Sequence, residues 1–185
     1  MSRNVQLILL CEDSQHEAFA RRFLMKAGWS QRQVRVIKAP PGKGAAEQFV
    51  RERYPVELAA NRSQRHRVAR GLVVVIDGDR SGVVGRITEL DQACRKREIK
   101  PRAGDEPVAI FVPTWNIQTW LAYLDGRTVD ENRDDYPRLP RERDCQRHVR
   151  ILYDMCQEAV LRQPSPPSLD AACEEYQTRL RSRSH

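Results

Sequence analysis

The chain has 185 residues, 40% of them apolar and 31% charged, with a formal net charge of +7. That is the composition of a globular domain long enough to bury a real core, and no apolar run approaches the about 20 residues a membrane-spanning helix needs. The charge is 32 Lys and Arg against 25 Asp and Glu, and nearly all of the cations are arginine, whose fork binds two phosphate oxygens at once, so nucleic acid is the leading polyanionic partner.

Residues 5–11 (VQLILLC) predict a first strand and residues 15–27 a helix, on which Phe19 and Phe23, and Ala20 and Leu24, fall four apart on one face. Gly28 is the expected stop. Residues 33–39 alternate as a second strand, and PPGKG at 40–44 reads as a tight loop. Residues 45–69 are mostly helical, with Pro55 expected to break or kink them. GLVVVID at 71–77 is the third strand. Residues 83–98 form a helix with Ile87, Leu90 and Cys94 on one side, and PVAIFVP at 107–113 is the fourth strand. WNIQTWLAYL at 115–124 is a short apolar helix.

The strand–helix unit thus recurs four times over the first 125 residues. Near-continuous apolar strands in that alternation imply a parallel sheet covered on both faces, with right-handed crossovers. Residues 126–144 read as a polar surface loop and 145–162 as an amphipathic helix aligning Val149, Leu152, Cys156 and Val160. QPSPPS is a linker and 169–181 a last short helix. The expected organisation is an α/β domain over 1–125 with a loop and helical extension, 126–185, packed on it.

The cysteines (Cys11, Cys94, Cys145, Cys156, Cys173) are scattered singly, with no CxxC and no Cys/His cluster, so no structural zinc is expected. An odd count suits free, buried thiols in a reducing compartment, and Cys11 reads as a core thiol rather than a nucleophile. The apolar stretch near the N-terminus is too short for a secretory signal and is interrupted by Glu12 and Asp13, so a cytoplasmic protein is expected.

LILLCEDSQHEAF, residues 7–19, places two acids where a buried strand meets a helix. Carboxylates are expensive to bury unless paired, hydrogen-bonded or metal-bound. Asp77 and Asp79, in VVVIDGDRSG, follow the third strand in the same way. Open parallel sheets bind ligands beyond the carboxyl ends of their strands. If the first and third strands are neighbours, Glu12, Asp77 and Asp79 converge there and invite Mg2+ or Mn2+.

A Glu after the first strand and a DxD after the third, in this frame, resembles the TOPRIM domain of topoisomerases, bacterial primases and the OLD-family nucleases of phage defence. The first motif there is Glu-Gly-x-x-Asp. Here Glu12 matches the Glu, Asp13 stands in place of the Gly, and His16 in place of the Asp, with Glu17 one place further on. PTWNIQTWLAYL resembles the segment after the fourth strand in small OLD-like proteins, with Gln118 where an acid is often found. The resemblance implies a TOPRIM/Rossmann-like fold and a metal-dependent nuclease. Asp77 and Asp79 would hold the metal, and Glu12 would hold metal or move a proton. Asp13, Asn116 and Gln118 would be accessory. It also implies an ATPase partner, a place in anti-phage defence, DNA rather than RNA as the substrate, and room for an oligomer.

Two other families share parts of this pattern. A response-regulator receiver also has an acid pair after its first strand, with Asp77 as phospho-acceptor and Thr114 as switch hydroxyl. However, the only Lys-Pro, Lys100-Pro101, precedes the fourth strand instead of following a fifth. A haloacid-dehalogenase phosphatase leaves Glu12 without a role. The plain alternative is a non-catalytic α/β interaction module whose acids only cap helices, Asp13 or Ser14 the first and Ser81 the third. Among the cations, Lys43 in PPGKG, Arg62, Arg65 and Arg67 in the arginine-rich segment 51–70, and Arg80 are the expected nucleic-acid contacts. The same segment has an ordinary explanation as a solvated face. Trp120 is expected in the core, and Trp115 is a candidate for base stacking.

Overall fold

A computed structural model describes residues 6–42, 45–66 and 70–181. In chain order its elements are β1 (Gln6–Cys11), α1 (Ser14–Lys26), β2 (Val34–Lys38), α2 (Ala46–Gln64), β3 (Arg70–Val75), α3 (Gly82–Lys96), β4 (Val108–Phe111), α4 (Gln118–Leu124), α5 (Gln146–Glu158) and α6 (Pro167–Arg179). The strands form one all-parallel sheet in the order β2-β1-β3-β4. This is the Rossmann-like α/β architecture the alternating pattern predicts.

Because side chains alternate across a strand, each strand feeds two cores. Leu7, Leu9 and Cys11 of β1, with Val73 and Val75 of β3, face α1, α4, α5 and α6. Ile8 and Leu10, with Leu72 and Val74, face α2 and α3. Both faces being covered is why the strands carry unbroken apolar runs. The helices from the last 60 residues share the first of these cores, through Val149, Leu152, Leu169 and Tyr176.

Several local expectations are corrected. Pro55 sits inside α2, which continues past it. A proline in a helix interior forfeits a hydrogen bond, about 3 kcal/mol, but Val50, Tyr54 and Leu58 are fully buried along the same helix, and that packing outweighs the loss. α5 ends at Glu158, where Ala159 turns left-handed at φ 55°, so Val160 leaves the apolar stripe and is 63% exposed. Ser81 makes no capping bond; its hydroxyl donates to Glu89 instead. Gly28 does end α1, at φ 104°, with the Trp29 amide donating to the Leu24 carbonyl at 3.0 Å.

The expectation of free cysteines fails for one pair. Cys156 on α5 and Cys173 on α6 form a disulfide, their Cα atoms 5.4 Å apart. Spacing could not reveal it, because only the reversal between the two helices brings the thiols together. Cys11, Cys94 and Cys145 are free and buried. Burial pushes the Cys11 thiol up to about 12, as a core thiol requires. Among the described residues no helix is long and apolar enough to cross a membrane.

Candidate metal centre

β1 lies between β2 and β3, so the chain leaves β1 toward one side and returns on the other. The crevice at that switch point is where an open parallel sheet binds ligands. Cys11 pairs with Val75 in register, so Glu12 and Asp77 emerge from the sheet close together. Glu12 Oε1 accepts the Asp77 amide N–H at 2.5 Å, a charge-assisted bond that ties the two strand ends.

Asp13 is the N-cap of α1, its Oδ1 accepting the His16 amide at 2.8 Å. That cap fixes where the first turn begins, and the turn delivers His16 back toward the sheet. His16 is 1% exposed, and its Nε2 lies 3.0 Å from Asp77 Oδ1. Glu12, His16 and Asp77 each offer a ligand atom, and these atoms lie within 4.8 Å of one another. A small divalent cation fits such a donor set: two hard carboxylate oxygens and one imidazole nitrogen.

The electrostatics follow from the geometry. Partial burial and the neighbouring Asp77 charge push Glu12 up to about 7, against the pull of His16 and the Asp77 amide. Burial opposes charging of His16, but Asp77, with Asp13 and Glu12 behind it, outweighs that and raises the imidazole to about 9. Asp79 is raised as well, first by burial and then by Asp77, with Arg86 opposing.

Asp79 is not part of the trio. Its backbone adopts φ 43° and bridges Trp115, and its carboxylate pairs with Arg86 at 3.1 Å. The turn is tight between the two acids: a Cβ on Gly78 would meet the Pro113 carbonyl oxygen at 3.1 Å and Gly82 Cα at 3.2 Å. Of the expected triad, Glu12 and Asp77 cluster with His16, and Asp79 is held beside them by Arg86.

Arg86 is the residue that holds Asp79. It is 4% exposed. Its Nε donates to the Asp77 carbonyl at 2.8 Å, and its terminal nitrogens reach Glu47 at 2.6 Å and Glu89 at 2.7 Å as well as Asp79. One buried guanidinium thus braces the Asp77–Asp79 turn against α2 and α3. Sequence reasoning passed over both Arg86 and the place of His16 in the cluster. His16 had a signal, since it stands where the resembling motif has an acid. Arg86 had none, because its four partners come from three separate segments.

The remaining candidates are placed as follows. Asp13 is exposed and caps α1; Asn116 Oδ1 accepts the Gln118 amide at 3.1 Å, and Gln118 is buried as the first residue of α4. Arg80 is exposed next to Asp79. Lys43 and Arg67 lie outside the described residues. Arg62 and Arg65 end α2, just before β3 begins, whereas Glu12 and Asp77 stand where strands finish. The length of β3 and the residues after it put roughly 20 Å between the two ends. Arg62 also grips Glu106 with both sides of its fork, at 2.6 and 2.8 Å, and donates to the Lys100 and Pro101 carbonyls. Arg62 and Arg65 therefore lie at the opposite end of β3 from the acid–histidine cluster.

Fold and site together define an open parallel α/β domain with an acid–histidine cluster at its switch point. No family model matches the chain, and no curated protein or solved structure matches it either.

Proposed function

We propose that this chain is a metal-dependent phosphodiesterase acting on nucleic acid, related to the TOPRIM nucleases its motifs resemble. The observation that carries the reading is the trio Glu12, His16 and Asp77, with ligand atoms within 4.8 Å of one another at the switch point. These three residues would hold the ion, which when bound would polarise a phosphodiester and stabilise the charge developing on it. An imidazole in the set favours Mn2+ over Mg2+. Glu12, raised to about 7, is poised near neutral pH to take or give a proton. Arg86 orients Asp77 through its carbonyl, and the ion would take the place of the His16 Nε2–Asp77 hydrogen bond. An ATPase partner and a role in phage defence belong to the same proposal.

Mn2+ titration by calorimetry, paired with nicking of supercoiled plasmid in Mn2+ and Mg2+, tests it. The wild type should bind Mn2+ and nick; Asp77→Asn and Glu12→Gln should lose both while keeping wild-type circular dichroism. A wild type that neither takes up Mn2+ at pH 8 nor nicks in either metal rules the proposal out. One observation favours a second reading, a metal-free interaction module. A protonated His16 paired with Asp77 at 3.0 Å already supplies a positive charge among the acids. That reading expects nucleic-acid binding without turnover and no heat of Mn2+ binding.

A further inference from the structure

The two grooves along α1 carry most of the unassigned positive charge near the site. One, of about 880 Å³, lies between α1 and α5 and is lined by Arg21, Arg22 and Lys26 from the first helix and Arg147 and Arg150 from the second. No carboxylate lines it among the described residues. The other, of about 470 Å³, shares Arg21 and Arg22, adds Arg141 and Arg143, and reaches Ser14 at the head of α1. The Gln15 side chain ties this second stretch down by donating to the Glu142 carbonyl at 3.3 Å. Ser14 follows Asp13, the cap that aims His16 at Asp77. The two grooves meet at Arg21 and Arg22 and form a basic trough along α1, from Ser14, next to the Asp13 cap, to Lys26.

Some of these cations have local acids. Arg21 lies 3.6 Å from Glu17, Arg141 3.0 Å from Asp144 and Arg147 2.6 Å from Asp125. Such pairs are solvated and weak. Counting Glu142 as well, seven cations face four acids, a surplus of three positive charges. The 13 residues of α1 extend about 18 Å at the helical rise of 1.5 Å per residue.

We infer that this trough is the track for the backbone of single-stranded nucleic acid, an inference that rests on the phosphodiesterase reading for its end point at Asp77. A concave row of arginine forks matches successive phosphates, whereas an anionic membrane calls for a convex apolar face with basic flanks. The trough between two adjacent helices takes one strand, not a duplex.

The test is fluorescence anisotropy of a labelled 12-nucleotide single strand in EDTA, over a salt series, with the full chain. Lys26→Gln/Arg147→Gln/Arg150→Gln should weaken binding at least tenfold at 100 mM salt. The slope of log K against log salt should flatten by about 0.7 for each phosphate no longer neutralised, near 2 for three. Arg65→Gln, at the other end of the sheet, should bind as wild type. Binding is read in EDTA and nicking separately, so binding kept while nicking is absent leaves the track standing even where the phosphodiesterase reading fails. Unchanged affinity and slope in the triple variant overturn the track even where nicking persists. Tighter binding to a duplex of the same length, or binding only to phosphatidylserine vesicles, overturns it too.

Discussion

Replacing Arg86 by methionine removes a buried guanidinium while keeping a side chain of comparable length. Four bonds go at once: the donation to the Asp77 carbonyl and the contacts to Glu47, Glu89 and Asp79. Removing one partner of a buried ion pair costs about 3–5 kcal/mol, because the other charge is left behind. Here the abandoned carboxylates regain water in part, since the side chains of Glu47, Glu89 and Asp79 are 25, 29 and 57% exposed. The low end, about 3 kcal/mol, is therefore expected. With a urea m-value of about 2–3 kcal/mol/M, the midpoint should fall by roughly 1–1.5 M at unchanged m. The melting temperature should fall by about 6–12 °C. Urea denaturation followed by circular dichroism measures the first and scanning calorimetry the second. Adding Glu47→Gln to the variant should cost less than in the wild type, because its partner is already gone. A loss below about 1 kcal/mol would mean that Arg86 behaves like a surface ion pair, and the account of it as the brace of the Asp77–Asp79 turn would be wrong.

Two further outcomes are expected. Glu12 is raised from 4.5 to about 7 and His16 from 6.5 to about 9, so the folded state holds both protons more tightly than the unfolded chain. The His16 contribution is full below 6.5 and lost through 9, the Glu12 contribution is lost between 4.5 and 7, and metal-free stability should decline from pH 5 to pH 9. Mn2+ binding should release protons, tighten with pH and flatten that decline; a melting temperature level across this range without metal contradicts the assignment. Opening the Cys156–Cys173 bridge, which spans 17 residues, by Cys156→Ser should cost about 3 kcal/mol in oxidising buffer, and no change in the urea midpoint against the wild type would show that the bridge does not constrain the chain.

The parallel sheet was legible in the sequence because a strand buried on both faces has to be apolar along its length, and LILLC, LVVVI and VAIFV meet that demand without help from distant residues. The acids at 12 and 77 were legible for the same reason in reverse: charge at the end of such a run needs a partner. Local chemistry likewise marked Gly28 as a stop and narrowed the cap of α1 to Asp13 or Ser14, of which Asp13 takes the role. What lay beyond the sequence were relations between segments far apart along it. His16 joins the site only because the Asp13 cap starts α1 in a phase that turns the imidazole onto Asp77. Asp79 leaves the cluster only because Arg86, held by α2 and α3, takes its carboxylate. The arginines of 51–70 adjoin the DxD in sequence, yet a strand that runs away from them puts Arg62 and Arg65 at the far end of β3, while α1 and α5 bring the cations of 21–26 and 141–150 together in one basic trough. Spacing along the chain carries distance only within a single element; across a parallel sheet, the direction of the strands and the face each helix covers decide which charges meet.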